Sequence, residues 1–230
     1  MDVRTISRTA AAIALVGAAV VNAIPIEVSS DGDAPAADQL RDYANNPGAA
    51  RVSNVLLLGA ILLVPAMIYA ARLARRGAPK LAFFGGGLAA LGWLAGLISI
   101  GGMGFALYEG SKLADRAGAA ALIDGIGSDP VYGTLVLTFV AGHAIGMILL
   151  GVALWRSRAV APWAAALFIA APVLHVVGHA ASPVVDQASG LAFLISAVAV
   201  AARVMRTPNE AWDAPATVSV AAREPVAVAR

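Results

Sequence analysis

The chain has 230 residues, of which 60% are hydrophobic and 13% are charged, and its formal net charge is +2. About a quarter of the residues in soluble proteins are charged, so this composition excludes an ordinary water-soluble domain. The absence of cysteine excludes disulfides, thiol catalysis and cysteine-ligated metal centres. No basic run is dense enough to predict nucleic acid as a partner.

Long apolar segments separated by short polar stretches dominate the sequence. An apolar run of about 20 residues crosses the ~30 Å hydrocarbon core of a bilayer as a helix. The sequence therefore predicts an all-α fold, a polytopic transmembrane helix bundle over residues 1–206 with the lipid bilayer as its surroundings. About six spans are expected, at residues 8–24, 53–71, 81–104, 131–154, 160–181 and 188–205.

The basic residues predict how the bundle is oriented, because Lys and Arg are enriched in cytoplasmic connections. If the N-terminus is cytoplasmic, the inner connections carry most of the Lys and Arg, and the outer connections carry most of the acidic residues. We therefore expect a multi-pass protein of the plasma membrane with both termini in the cytoplasm. The inner basic residues are Arg4, Arg8, Arg72, Arg75, Arg76, Lys80, Arg156, Arg158, Arg203 and Arg206.

The first apolar segment also has the features of a cleavable signal peptide. Arg4 and Arg8 precede an apolar stretch, and small residues follow it near positions 22–23. We favour an uncleaved span, because Pro25 lies very close to any such cleavage point. Cleavage would leave five spans, with the C-terminus still inside.

Two outer loops are long enough to hold structure, at residues 25–52 and 105–130. A short helix is expected at 36–45 and an alanine-rich helix at 111–123. In the second of these, an apolar stripe would suit a helix that lies on the membrane or caps the bundle. A solvated loop helix is the alternative. The stripe consists of Leu113, Ala117, Ala121 and Leu122.

Small residues spaced four apart mark the third and fourth segments as the tight centre of the bundle, because they let helix backbones approach closely. The same faces would also suit a membrane protein partner or a homo-oligomer. Pro65 and Pro172 lie inside predicted helices, where kinks are expected. The small residues are Gly85, Ala89, Gly92, Gly96, Gly142 and Gly146.

Three histidines, His143, His175 and His179, lie well inside the predicted spans, whereas Arg8 and Arg203 lie at span ends. Polar groups at membrane depth usually face the bundle interior or a wet cavity. His175 and His179 share one helix face, and the helix that holds His143 should be an antiparallel neighbour. The three imidazoles are therefore expected to converge in the outer half of the bundle, with Asp186 nearby.

Three interpretations of these histidines stay open. Three nitrogen ligands with an open fourth position suit zinc, and two histidines on different helices can ligate a haem iron. A proton or ion pathway is the second interpretation. In the third, His143 hydrogen-bonds a neighbouring helix carbonyl or a hydroxyl such as that of Thr138. Trp93, Trp155 and Trp163 are interpreted as packing or interface anchors.

The last 24 residues, 207–230, carry three prolines and no helical periodicity. This composition predicts a disordered cytoplasmic tail.

The stretch GHAIGMILLGVALWRSRAVAPWAAALFIAAPVLHVVGHA resembles part of uncharacterised multi-pass membrane proteins of high-GC Gram-positive bacteria, which contain a domain of unknown function. A second resemblance is to seven-helix zinc hydrolases such as alkaline ceramidases and adiponectin-type receptors. That resemblance implies that His143 is a lone metal ligand and that His175 and His179 form a ligand pair. The chain departs from that pattern in its span number, in Phe139 where a serine is expected, and in lacking an aspartate within the spans.

The leading hypothesis is a non-enzymatic membrane protein with a scaffold, accessory or small-ligand-binding role and no cofactor. The alternative is a histidine-ligated zinc or haem protein, an oxidoreductase or hydrolase, that uses His143, His175 and His179. A transporter is disfavoured, because the sequence shows no internal repeat and no carboxylate within the predicted spans.

Overall fold

The computed structural model describes residues 2–24 and 34–213, without the side chains of residues 179–181. Every regular element in these ranges is a helix, which confirms the all-α prediction for the described part of the chain. The helices are α1 (Val3–Ala23), α2 (Ala36–Asn45), α3 (Pro47–Gly59), α4 (Leu63–Ala74), α5 (Pro79–Gly110), α6 (Arg116–Gly127), α7 (Pro130–Arg156), α8 (Pro162–Ala181), α9 (Pro183–Arg206) and α10 (Asn209–Asp213).

Five helical stretches in the described ranges are long and apolar enough to cross a membrane: α1, α3 continued by α4, α5, α7 and α9. The apolar described part of α8, Pro162–Gly178, is shorter. Large apolar side chains cover the outward faces of these helices, as at Phe83 and Leu137, which are 74% and 68% exposed. Such a surface is suited to lipid and would aggregate in water, so the fold is that of a membrane-embedded helix bundle.

Prolines mark the places where the chain turns between helices. Proline is favoured at the first helical position, where its missing N–H needs no partner. Aspartate side chains cap three helices by accepting hydrogen bonds from backbone N–H groups, at Asp2, Asp115 and Asp129. The helices that begin with proline are α3, α5, α7, α8 and α9.

The two internal prolines affect their helices differently. A 3₁₀ turn at Ala60–Leu62 separates α3 from α4, and Pro65 follows it within one turn. Because Pro65 has no N–H, the carbonyl one turn earlier lacks its usual donor, and the helix adjusts there. Pro172 is buried inside α8, which continues as one helix past it.

α5 and α7 run antiparallel and form the tight centre, as the small-residue spacing predicts. A methyl group added at Gly92 would lie 2.2 Å from the backbone nitrogen of His143. One added at Gly146 would lie 2.2 Å from the backbone nitrogen of Ala89. Only glycine permits such an approach. The small-residue faces of α5 and α7 pack against each other within the chain. The predicted binding of a partner protein or a second copy through these faces therefore has no support from this packing and stays a prediction.

α1 is part of the bundle core. Its residues Ala11, Leu15 and Ala18 are fully buried in the same apolar cluster as Met67 of α4 and Val200 of α9. Removing α1 as a signal peptide would therefore expose the apolar faces of both neighbours. The uncleaved first span stays a prediction.

At the end of the bundle that holds the long loops, α2 and α6 pack on each other. Ala36 and Leu40 of α2 contact Ala119 and Ile123 of α6 beside Leu107 of α5. The helix predicted at 36–45 is confirmed with those bounds.

The second loop helix begins and ends later along the chain than the predicted 111–123. α6 begins at Arg116, where Asp115 caps it, rather than at residue 111. Leu113 lies in the preceding turn, and Leu122 lines an open cavity beside Ile98 of α5; both leucines are mostly exposed. The face that packs against α2 is formed by Ala119, Ala120 and Ile123 instead of the predicted stripe.

At the opposite end, the basic segments meet one another. The N-terminus of α1 contacts the turn after α9, because the Arg8 guanidinium donates to the carbonyl oxygens of Met205 and Thr207. Arg203 of α9 donates to Ala159 in the α7–α8 turn, with 3.1 Å between Nε and the carbonyl oxygen. The structure thus gathers the basic turns at one end, with the α2–α6 pair at the other.

The described start of the tail differs from the disorder expected from residue 207 onward. α10 packs across the basic end, where the Asp213 carboxylate bridges Arg4 and Arg72. Burial and the charges of neighbouring arginines lower the pKa of Arg75 from its ordinary value, whereas Asp213 acts in the opposite direction. An acidic residue is therefore favourable at this place. Residues 214–230 lie outside the described residues.

Trp212 anchors α10. Its ring is 3% exposed and lies under the Arg72 guanidinium, 4.7 Å from it. The indole N–H donates to the hydroxyl oxygen of Ser7 at 3.1 Å. The tail sequence showed no helical period because α10 is a single short turn stabilised by tertiary contacts.

Candidate functional site

A small, partly open cavity is lined mainly by residues of α5, α7, α8 and α9, with the exposed Asn22 of α1 at its edge. Its volume is about 30 Å³. Two histidines and a tryptophan, with an asparagine and a serine, line it within an otherwise apolar interior. The lining residues are Asn22, Trp93, His143, Met147, Ala171, Pro172, His175, Ser189 and Phe193. We refer to this cavity as the histidine pocket.

His143 is 2% exposed and belongs to the tight crossing of α5 and α7. Its Nδ1 lies 2.7 Å from the carbonyl oxygen of Phe139, one turn earlier on the same helix. A carbonyl oxygen only accepts, so Nδ1 carries the proton and Nε2 of the neutral ring is an acceptor. The ring also stacks on Phe139, with 4.5 Å between centroids.

The partner of His143 differs from both sequence-based candidates. The ring bonds its own helix rather than a neighbouring one. The Thr138 hydroxyl instead donates to the carbonyl oxygen of Thr134, at 2.7 Å. The reason is local, because a carbonyl one helical turn earlier is within reach of a histidine ring regardless of tertiary packing.

His175 lies on α8 and faces the first turn of α9. Its Nδ1 is 2.6 Å from Oδ1 of Asp186. Gly178 allows this contact, because a methyl group there would lie only 2.3 Å from the backbone nitrogen of Asp186. The predicted proximity of Asp186 is confirmed for His175. The carboxylate fixes the orientation of the ring, as carboxylate partners do in metal sites.

Two of the three predicted histidines meet. The rings of His143 and His175 stand edge to face, with 5.9 Å between their centroids. The side chain of His179 lies outside the described residues. Among the described side chains, no group of three or more His, Asp or Glu residues is placed to hold a metal ion.

Trp93 is the pocket residue that the sequence interpretation missed, since it was taken as a packing or interface anchor. Its ring lies 5.1 Å from the His143 ring and 5.5 Å from the Phe139 ring. The available signal was its position next to Gly92, in the small-residue face of α5. A tryptophan beside a helix crossing can reach the partner helix with its ring.

Two buried nitrogen atoms of the histidine pocket have no hydrogen-bond partner in the described part of the chain. They are Nε2 of His143, an acceptor, and Nε1 of Trp93, a donor. A buried polar group without a partner destabilises a protein by about 1–3 kcal/mol. The side-chain amide of Asn54 is also buried without a partner in the described residues, but Asn54 is not among the residues that line the histidine pocket.

The histidine pocket can bind a ligand of very small size. Its volume exceeds the ~10–15 Å³ that one water molecule requires. A haem macrocycle does not fit without separating α7 from α8, and the haem prediction therefore has no support from this geometry. Compared with known proteins, the chain matches no protein-family model, no curated protein and no solved structure.

Proposed function

We propose that the chain is a six-span integral protein of the plasma membrane, with both termini in the cytoplasm, that binds a small ligand in the histidine pocket without catalysing a reaction. The observation that carries the ligand-binding proposal is the buried, unpartnered Nε2 of His143 in the described part of the chain. Such an atom destabilises the folded chain unless a ligand satisfies it. A purely structural core would be filled more favourably by an apolar side chain.

The number of spans rests on α8. Its 20 residues, at ~1.5 Å each, extend ~30 Å, which is the thickness of the hydrocarbon core. It packs between α7 and α9, both of which are long enough to cross. We therefore count α8 as the sixth span.

The proposed orientation follows from the gathering of basic turns at one end of the bundle. Positive residues are retained on the cytoplasmic side during insertion. Contacts of Arg4, Arg72 and Arg203 tie the N-terminus, the α4 end, the α7–α8 turn and the α9 end together. With six spans, this end is the cytoplasmic one and holds both termini.

Pocket size limits what binds in the described conformation. A ligand larger than a few atoms would need α8 to move away from α7. Pro172 lines the pocket and leaves one carbonyl of α8 without its helical donor. The helix is therefore weakest at the pocket, where an opening movement would be least unfavourable.

A transition-metal ion such as zinc is the second candidate. Both described histidines use Nδ1 for an oxygen partner, Phe139 for His143 and Asp186 for His175. This arrangement is typical of histidines that bind metal through Nε2. If His179 completes such a site, hydrolase or oxidoreductase chemistry becomes the alternative function.

The test compares wild type with His143→Phe after purification in mild detergent. Thermal unfolding is followed with a panel of small polar solutes and divalent metal salts, and bound metal is quantified. We expect at least one solute to raise the midpoint for wild type and not for His143→Phe. The control is Thr138→Val, an exposed change one turn away on α7.

The outcomes separate the two candidates. Stoichiometric metal that is lost in His175→Ala would establish the metal protein instead of the leading proposal. A metal-free protein whose unfolding midpoint no solute raises would overturn both candidates.

A further inference from the structure

We propose that the histidine pocket holds a single water molecule when no solute ligand is bound, and that this water accepts a hydrogen bond from Nε1–H of Trp93 and donates one to Nε2 of His143. This inference goes beyond the proposed function, because it names what occupies the pocket of the unliganded protein. It depends on two observations about the described residues, which are the unpartnered pair of nitrogens and the size of the cavity.

The chemistry of the two nitrogens selects a neutral ligand. Nε2 of His143 offers a lone pair, because the ring proton is on Nδ1 facing Phe139. Nε1 of Trp93 offers only a proton. A cation would suit His143 and be repelled by the indole N–H, whereas an anion would suit the indole and be repelled by the imidazole lone pair. A molecule that both accepts and donates satisfies both nitrogens.

Both rings border the cavity that would hold such a molecule. The Trp93 and His143 centroids are 5.1 Å apart, and the ring planes are inclined at 48°. They are therefore not stacked face to face. The two rings border a cavity of about 30 Å³, and buried water requires ~10–15 Å³ and typically about three hydrogen bonds.

Other polar side chains belong to the wall of the same cavity. Asn22, His175 and Ser189 line the same cavity. A water bound to Trp93 and His143 therefore lies beside the ring that bonds Asp186. The bound water would link a histidine of the bundle core to the carboxylate at the start of α9, across two helices.

Nitrogen-15 NMR on the full chain in detergent tests the proposal, with labelled histidine and tryptophan. We expect the Trp93 indole proton to exchange magnetisation with a long-lived water. We also expect the His143 Nε2 resonance to be that of an unprotonated, hydrogen-bonded nitrogen. In Trp93→Phe this resonance should shift, whereas the exposed-site control Trp163→Phe should leave it unchanged.

Two results would overturn the proposal. One is an indole proton without water contact together with a His143 Nε2 that shows no hydrogen bond, which means a dry pocket. The other is a His143 resonance that responds to His179→Ala with no water contact at Trp93, which means a side-chain partner. Both results are measured on the folded wild type or on a variant at a position outside the α5–α7 crossing, so misfolding at that crossing does not affect them. Neither result decides the solute screen, so failure of the proposed function is detected separately.

Discussion

Gly92 gives the sharpest test of the packing that positions the histidine pocket. A methyl group at this position would lie 2.2 Å from the backbone nitrogen of His143 and 2.6 Å from the carbonyl carbon of Gly142. Ordinary contacts between such atoms are about 3.5 Å long. Backbone atoms cannot rotate away as a side chain can, so α5 and α7 must separate by about 1 Å in Gly92→Ala.

The expected magnitude combines two opposing effects. Replacing glycine by alanine within a helix stabilises it by up to about 1 kcal/mol. Overpacking a rigid contact destabilises by about 1–3 kcal/mol or more, and here the separation also loosens the contact of Gly146 with Ala89. We expect Gly92→Ala to lower the free energy of unfolding by about 2 kcal/mol.

Gly87→Ala is the matched control, because Gly87 lies on the same helix and a methyl group there meets nothing within 4 Å. This variant should be neutral or more stable by up to about 1 kcal/mol. The assay is reversible unfolding in mixed micelles, titrated with a denaturing detergent and followed by circular dichroism. If Gly92→Ala were as stable as Gly87→Ala, the close crossing of α5 and α7 would be refuted.

Three further predictions concern the α7–α8 turn, the docked start of the tail and the His175–Asp186 hydrogen bond. Arg158 follows α7 with a φ angle of 52°, in the left-handed region that favours glycine. In thermal unfolding, the Arg158→Gly variant should therefore be more stable than the Arg158→Ala variant by about 0.5–1 kcal/mol. Equal stabilities would contradict a left-handed residue at this position. By the same assay, Trp212→Ala should lower the free energy of unfolding by about 3 kcal/mol, and Asp213→Ala should lower it by less than about 1 kcal/mol. The reason is that a buried ring contributes more to stability than exposed ion pairs do. The reverse order would argue against the docked α10. Asp186→Ala should shift the nitrogen-15 resonance of His175 Nδ1, and an unchanged resonance would argue against their hydrogen bond.

The sequence predicted the features that depend on composition and spacing. The apolar runs indicated the membrane-embedded helices, and small residues four apart indicated the crossing at Gly92 and Gly142. The position of His143 and His175 on adjacent antiparallel helices followed from counting residues. These features are local or depend on one helix pair, so they can be predicted from the amino-acid sequence alone.

The remaining features depend on how each helix is rotated about its axis. α5 is apolar on all sides, so only its small-residue face indicated the direction of Trp93, and the contacts with Phe139 and His143 settle it. α6 had two apolar faces of similar character. α10 is shorter than an independently stable helix and owes its conformation to Trp212 and the arginines around it.

The central claim is a six-span bundle with both termini inside, and α8 decides it. The chain has no native cysteine, so single introduced cysteines report their side of the membrane directly. The measurement is labelling by a membrane-impermeant maleimide of Ala161→Cys, before α8, and Gln187→Cys, after it, both at exposed positions. The account predicts labelling of position 187 in intact cells and of position 161 only after permeabilisation. Labelling of both positions from the same side would contradict it.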